Sequence, residues 1–166
     1  APRPASPTVV DAALVAWPSI LVLPRRMPLV PVEEIRAARQ RAAEVVRTTP
    51  LDRSQTFSAL CGREIYLKLE NLQKTGSFKV RGALNKIQHL DDASRHRGVI
   101  TASAGNHAQG VAYAGRMAGV PVKVVMPEPA SFSKVEATVS YGAEVILHGR
   151  DYGEAYEKAS ELASAE

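Results

Sequence analysis

A chain of 166 residues with 45% hydrophobic side chains can bury one ordinary core or two small ones, so its composition is that of a soluble globular protein. Lys plus Arg exceed Asp plus Glu by 21 to 17; a net charge of +4 with no aromatic-rich basic stripe excludes nucleic acid as a partner and suits small anions. Cys61 is the only cysteine, which excludes an intrachain disulfide and a cysteine-based metal site and favours a reducing, cytoplasmic compartment.

Five prolines precede Arg25, and the apolar run from Ala12 to Leu23 is broken by Pro18. The run is too short to span a membrane and lacks the basic start and small-residue cleavage pattern of a signal peptide, so no membrane partner is expected. Residues 1–31 read as a flexible extension, of which residues 1–26 are expected not to pack on the core, and Met27 reads as the natural start. From Val32 the pattern turns helical: Val32, Ile35, Ala38, Ala42 and Val45 or Val46 recur at three- and four-residue steps, with Glu33 and Glu34 in the first turn. Thr48-Thr49-Pro50 stops that helix. A short polar segment and a second helix ending at Gly62 follow.

Glu64 to Leu69 alternates polar and apolar residues as a strand does, and leads through a polar turn holding Gly76 into a helix over about Ser77 to Leu90. Lys79 therefore sits in a first helical turn. The positive end of the helix dipole disfavours an ammonium there, and Phe78 beside it is expected to remove water; both effects favour the neutral amine that forms a Schiff base with a carbonyl. Lys79 is equally one of seven lysines on a basic surface, and position alone leaves that reading open. After the polar stretch Asp91 to Arg97 the chain alternates strand and helix: strands over Gly98–Ala102, Val120–Met126 and Ala143–Leu147, helices over Asn106–Ala118, Ser131–Tyr141 and Tyr152–Ala165. Units of that length predict a parallel three-stranded βαβαβα arrangement. Ala108, Ala112, Gly115 and Gly119 leave room for the first of those helices to approach the sheet.

The loop Ser103-Ala104-Gly105-Asn106-His107 joins a strand end to a helix start, where unpartnered N–H groups and the dipole favour an anion such as an amino-acid carboxylate. An ordinary turn capped by Ser103 accounts for the same residues. A nucleotide phosphate loop does not, because Val111 stands where its lysine belongs. Nor does a hydrolase, since there is no Gly-x-Ser-x-Gly elbow; and scattered histidines without a His-Glu-x-x-His pattern give no metal site.

Two blocks, Gly76-Ser77-Phe78-Lys79-Val80-Arg81-Gly82-Ala83 and Ser103-Ala104-Gly105-Asn106-His107-Ala108-Gln109-Gly110, resemble the cofactor-lysine segment and the substrate-carboxylate loop of the fold-type II pyridoxal phosphate enzymes, in particular the threonine ammonia-lyase (threonine dehydratase) and serine racemase family. The resemblance runs from about Val32 to the last residue. It implies an α/β fold of tryptophan synthase beta-like architecture, with a parallel sheet in three-layer αβα packing. Residues 32–92 would be the N-terminal part of the large cofactor domain and residues 93–166 the small domain, the C-terminal half of the family fold lying outside this sequence.

The resemblance also implies pyridoxal 5'-phosphate as cofactor, carried by Lys79, with Phe78 and Asn106 against it and Asn106 bonded to its ring hydroxyl. Ser103, Gly105, Asn106 and His107 would hold the substrate carboxylate, and Lys79 would take the Cα proton before the β-hydroxyl leaves. The implied reaction is deamination of L-threonine, and of L-serine, to 2-oxobutanoate or pyruvate and ammonia, within amino-acid metabolism such as isoleucine biosynthesis, by a homo-oligomer acting on a small amino acid. Serine racemase or serine dehydratase is the second reading. A non-catalytic α/β module binding a small anion is a third, from another class. In this family a glycine-rich loop holds the cofactor phosphate, and no Gly-Gly pair occurs here, so this chain is expected to be a truncated, poorly active form with Ile65, Leu67 and Leu69 partly exposed.

Overall fold

The computed structural model describes residues 29–165. The expectations for the N-terminal extension and for Met27 lie outside the described residues, apart from Leu29 to Pro31, which carry no regular structure. Residues Val32–Glu166 make one compact unit.

Helix α1 (Val32–Ala42) opens with Glu33 and Glu34 and closes with Arg39 and Arg41, charges that complement its dipole. The polar segment after Pro50 is a strand, β1 (Leu51–Arg53), which pairs antiparallel with β2 (Tyr66–Lys68) in the register Leu51 with Lys68 and Arg53 with Tyr66. Between them lies α2 (Gln55–Cys61). Ser54 caps its start by accepting the Phe57 N–H, and Gly62 ends it in the left-handed region at φ 62°. The expected strand over Glu64 to Leu69 is thus three residues long. Leu67 on it is exposed, with Ile65 and Leu69 half-buried, as expected.

Helix α3 (Lys79–Gln88) buries Val80, Ala83, Leu84 and Ile87, the one-sided spacing of an amphipathic helix. The polar stretch Asp91 to Arg97, to which the sequence pattern assigns no element, contains helix α4 (Asp92–Arg97): Asp91 accepts the Ser94 N–H at its start, and Arg95, His96 and Arg97 fill its last turn.

The remainder is the predicted parallel unit. Strands β3 (Val99–Ala102), β4 (Val122–Met126) and β5 (Glu144–Leu147) lie in that order, with Val99 beside Val122 and Lys123 beside Glu144. Helices α5 (Asn106–Ala118), α6 (Phe132–Ser140) and α7 (Tyr152–Ala165) connect and follow them. Alternation along the strands makes two cores. Val122, Val124 and Met126 face α5 and, through it, Leu84 and Ile87 of α3. Ala102 and Val125 face Ala155 and Ala159 of α7. A sheet with helices on both faces is the three-layer packing expected.

Helix α5 is buried along much of its length because it is packed from two sides. On the sheet side Gly115 admits β4: a Cβ there would run into Val122 Cγ2 and lie 2.9 Å from the Val120 carbonyl oxygen. Gly115→Ala is therefore expected to destabilise the fold by about 1–2 kcal/mol despite alanine's better helix propensity, as read by urea unfolding.

Candidate functional site

The turn carrying Lys79 is held by a polar knot. The Glu70 carboxylate, in a short 3₁₀ turn (Glu70–Leu72), accepts Arg81 Nε and Nη2, each at 2.8 Å, and the Thr49 hydroxyl at 2.6 Å. Arg81 Nη2 also donates to the Arg47 carbonyl, and Lys68 Nζ donates to that of Thr49 at 2.6 Å. Gln73, 4% exposed, accepts the Arg47 and Lys74 N–H groups and donates from Nε2 to the Arg47 carbonyl. The segment after α1 is thereby bolted to both ends of the lysine turn. The fork of Arg81 holds Glu70 well below its ordinary 4.5, at about 2; burial opposes this shift and the Thr49 hydroxyl adds to it.

Gly76, at φ 69°, takes a left-handed conformation that turns the chain towards α3, and Ser77 Oγ accepts the Lys79 N–H at 3.4 Å. Lys79 is the first residue of α3. The expectation that Phe78 would shield it from water is corrected. Both side chains are exposed, and the Lys79 amine lies 5.1 Å from the centroid of the Phe78 ring, a cation–π distance. Phe78 is the residue before the helix, and its ring stands in solvent with the amine over its face, so it does not bury the amine.

The second loop leaves β3 at Ala102. Ser103 donates its N–H to the Val125 carbonyl at 3.1 Å, and its Oγ accepts the N–H groups of Gly105 and Ala108, each at 3.3 Å. Ser103 thus shapes the loop and caps α5 from inside it. The first-turn N–H groups of Asn106 and His107 have no acceptor among the described residues. At the start of a 13-residue helix they are two free donors in a place where the dipole also favours negative charge. Lys134 Nζ, from α6, donates to Asn106 Oδ1 at 3.2 Å, which leaves the other end of that amide free to donate. Surrounding protein, and after it the Lys79 charge, holds the His107 imidazole below its ordinary 6.5, so it is neutral at pH 7.

The two blocks meet at the start of α3. A Cβ built on Gly110 would lie 3.0 Å from Lys79 C and from Val80 N, and 3.1 Å from Lys79 Cβ. His107 stands one turn before Gly110 on α5, which accounts for the reach of the Lys79 charge to its ring. The Lys79 segment and the first turns of α5 are therefore neighbours. A groove of about 250 Å³ runs from His107 towards Tyr152 and Tyr156. A larger one, about 600 Å³, lies against α1; Lys68 and Arg81 of the polar knot line it, but neither Lys79 nor any residue of the Ser103–His107 loop does.

The start of α3 at Lys79 lies against α5 at Gly110, one turn after His107, and Ser103, Gly105, Asn106 and His107 lie together at the start of α5. Sequence reasoning missed Glu70, Gln73 and Arg81 as supports of that geometry, although all three fall inside or beside the lysine stretch. Thr49 and Lys134 gave no sequence signal, being 21 residues from Glu70 and 28 from Asn106 respectively.

Residues 42–166 match the family described as Pyridoxal-phosphate dependent enzyme. Over 131 residues the chain is 53% identical to the L-threonine ammonia-lyase of Thermotoga maritima, an alignment covering 79% of this chain and 33% of that protein. Over 137 residues it is 49% identical to the catabolic L-threonine dehydratase TdcB of Escherichia coli, covering 82% of this chain and 42% of the relative. Among solved structures, maize serine racemase superposes with a TM-score of 0.76 at 36% identity, covering 82% of this chain and 41% of that one. The chain spans about a third to two fifths of the length of these relatives.

Proposed function

From the premise that the chain belongs to the pyridoxal-phosphate dependent enzyme family, we propose that it supplies the cofactor lysine and the substrate-carboxylate loop of an L-threonine ammonia-lyase that also accepts L-serine, releasing ammonia and a 2-oxo acid. The observation that carries this reading is the seating of the Lys79 backbone directly on α5, the helix whose start forms the anion site. The residues fit the cofactor: an exposed primary amine suits an aldehyde, and a free amide donor suits a ring hydroxyl.

When bound, pyridoxal phosphate takes up the negative charge left at a substrate carbon that loses its proton. Lys79 Nζ would hold the cofactor through its aldehyde group and, as the free amine, would move the proton at the substrate Cα. The Phe78 ring beside that amine offers a flat apolar surface. The N–H groups of Asn106 and His107 bind the substrate carboxylate, in a loop whose shape Ser103 Oγ and Gly105 set. Asn106, its oxygen engaged by Lys134, would have its amide N–H available for the cofactor's ring hydroxyl. Neutral His107 borders the anion site without adding a charge that would compete with Lys79.

This proposal places residues 32–92 in the large domain and residues 93–166 in the small one, in a cytoplasmic homo-oligomer acting on a free amino acid. Isoleucine biosynthesis is not part of it, since the Escherichia coli relative bears a catabolic name. The likeness to maize serine racemase supports a second reading, amino-acid racemisation. The product from L-serine separates the two, pyruvate marking elimination and D-serine racemisation.

The direct test is cofactor trapping. Pyridoxal phosphate added to the full-length polypeptide is expected to give a visible absorbance band, weak or absent with residues 1–166 alone, and borohydride is expected to fix the label on Lys79, located by peptide mass spectrometry. Label on Lys74, or spread evenly over the seven lysines, would favour a non-catalytic module instead.

A further inference from the structure

Gly110 stands inside α5, where glycine costs about 0.8–1 kcal/mol relative to alanine. No turn or left-handed conformation calls for it. What calls for it is proximity: the space where its side chain would stand is occupied by the peptide joining Lys79 to Val80, at 3.0 Å. We propose that Gly110 is a positioning residue for Lys79, setting the height at which the amine stands over the Ser103–His107 loop. This rests on the reading of Lys79 as the cofactor lysine.

The start of α3 has nowhere to retreat. Arg81, two residues further on, is tied by both nitrogens of its fork to Glu70 and by Nη2 to the Arg47 carbonyl. Val80, between them, is fully buried. A methyl group at residue 110 therefore displaces the Lys79–Val80 peptide by a few tenths of an ångström instead of moving the helix bodily. The displaced peptide begins at the Cα that carries the reactive side chain; a misplacement of about 1 Å can cost a positioned group about 100-fold, so a few tenths of an ångström is expected to cost several-fold. Gly115, five residues later, supplies the contrast: its close contacts are with Val120 and Val122, on the sheet side of the same helix.

The test is the ratio of borohydride-fixed pyridoxyl label on Lys79 to that on Lys74 in the wild type, Gly110→Ala and Gly115→Ala. The ratio is expected to fall about five- to tenfold in Gly110→Ala and to stay at the wild-type value in Gly115→Ala, although both variants lose stability. An unchanged ratio in Gly110→Ala, or an equal fall in both, would reduce Gly110 to ordinary packing and overturn the proposal. Should Gly110→Ala unfold, trimethylamine oxide restores the folded state without touching the contact, and the low ratio must persist there. Should the wild type carry no preferential label on Lys79, the cofactor reading fails first. Gly110 is then judged by the His107 titration in nuclear magnetic resonance, which must shift in Gly110→Ala and not in Gly115→Ala.

Discussion

Lys79→Ala in the full-length polypeptide is expected to lower ammonia release from L-threonine by more than about 10³-fold, because one substitution removes both the cofactor's attachment and the base for the Cα proton. The fold should survive, since the Lys79 side chain is exposed and no hydrogen bond ties its amine to the described residues; an unchanged circular dichroism spectrum checks this. Lys74→Ala is the decisive companion. Lys74 lies five residues earlier in the same turn and is likewise exposed, and it supports the knot only through its backbone N–H, donated to Gln73 Oε1. Its activity should stay within about twofold of wild type. Activity that vanishes with Lys74→Ala and survives Lys79→Ala would refute the assignment. Lys79→Arg should fail as Lys79→Ala does: a guanidinium keeps the charge but stays protonated and does not condense with an aldehyde.

How far the sequence revealed this site depended on the distance over which each feature is written. Helix α5 was legible to the residue because both its ends are local: a serine-glycine turn before Asn106, and Gly119 at φ 66° after Ala118. Helix α4 was not, since six residues with no apolar spacing give no period, and its stability lies in the Asp91 cap and its basic last turn. Strand β1 is exposed along its length, so the only thing that makes it a strand is pairing with Tyr66 to Lys68, across a helix. The same limit applies to the chemistry. Lys79 and the Ser103–His107 loop are contiguous motifs and could be read; the Glu70–Arg81 fork, the Lys134–Asn106 bond and the seating of Gly110 join residues that only the fold makes neighbours.

Glu70→Gln is expected to destabilise the protein by about 2–3 kcal/mol at pH 7 and to remove most of its acid sensitivity between pH 4.5 and 2. The Glu70 carboxyl is 16% exposed and titrates at about 2 when folded, against 4.5 as its ordinary value. A depressed carboxylate contributes stability that is complete above the unfolded value. That stability is lost as pH falls from 4.5 through about 2, where the folded state must also take up the proton. The displacement corresponds to about 3.5 kcal/mol at most, reduced because the Arg81 side chain is 35% exposed to screening water. Glutamine preserves the shape and leaves the guanidinium of Arg81 without its counter-charge in a half-buried place, which is why the loss appears already at neutral pH. Urea unfolding of both proteins across that pH range checks the prediction, with Glu161→Gln as control, since its partner Lys158 is bonded at the surface of α7. Wild type and Glu70→Gln losing stability in parallel below pH 4.5 would show that the acid limb belongs to other carboxylates. The functional consequence follows from the same bonds: with Arg81 released, α3 gains the freedom to move away from α5, so Glu70→Gln should also lower the Lys79-to-Lys74 labelling ratio without altering either lysine.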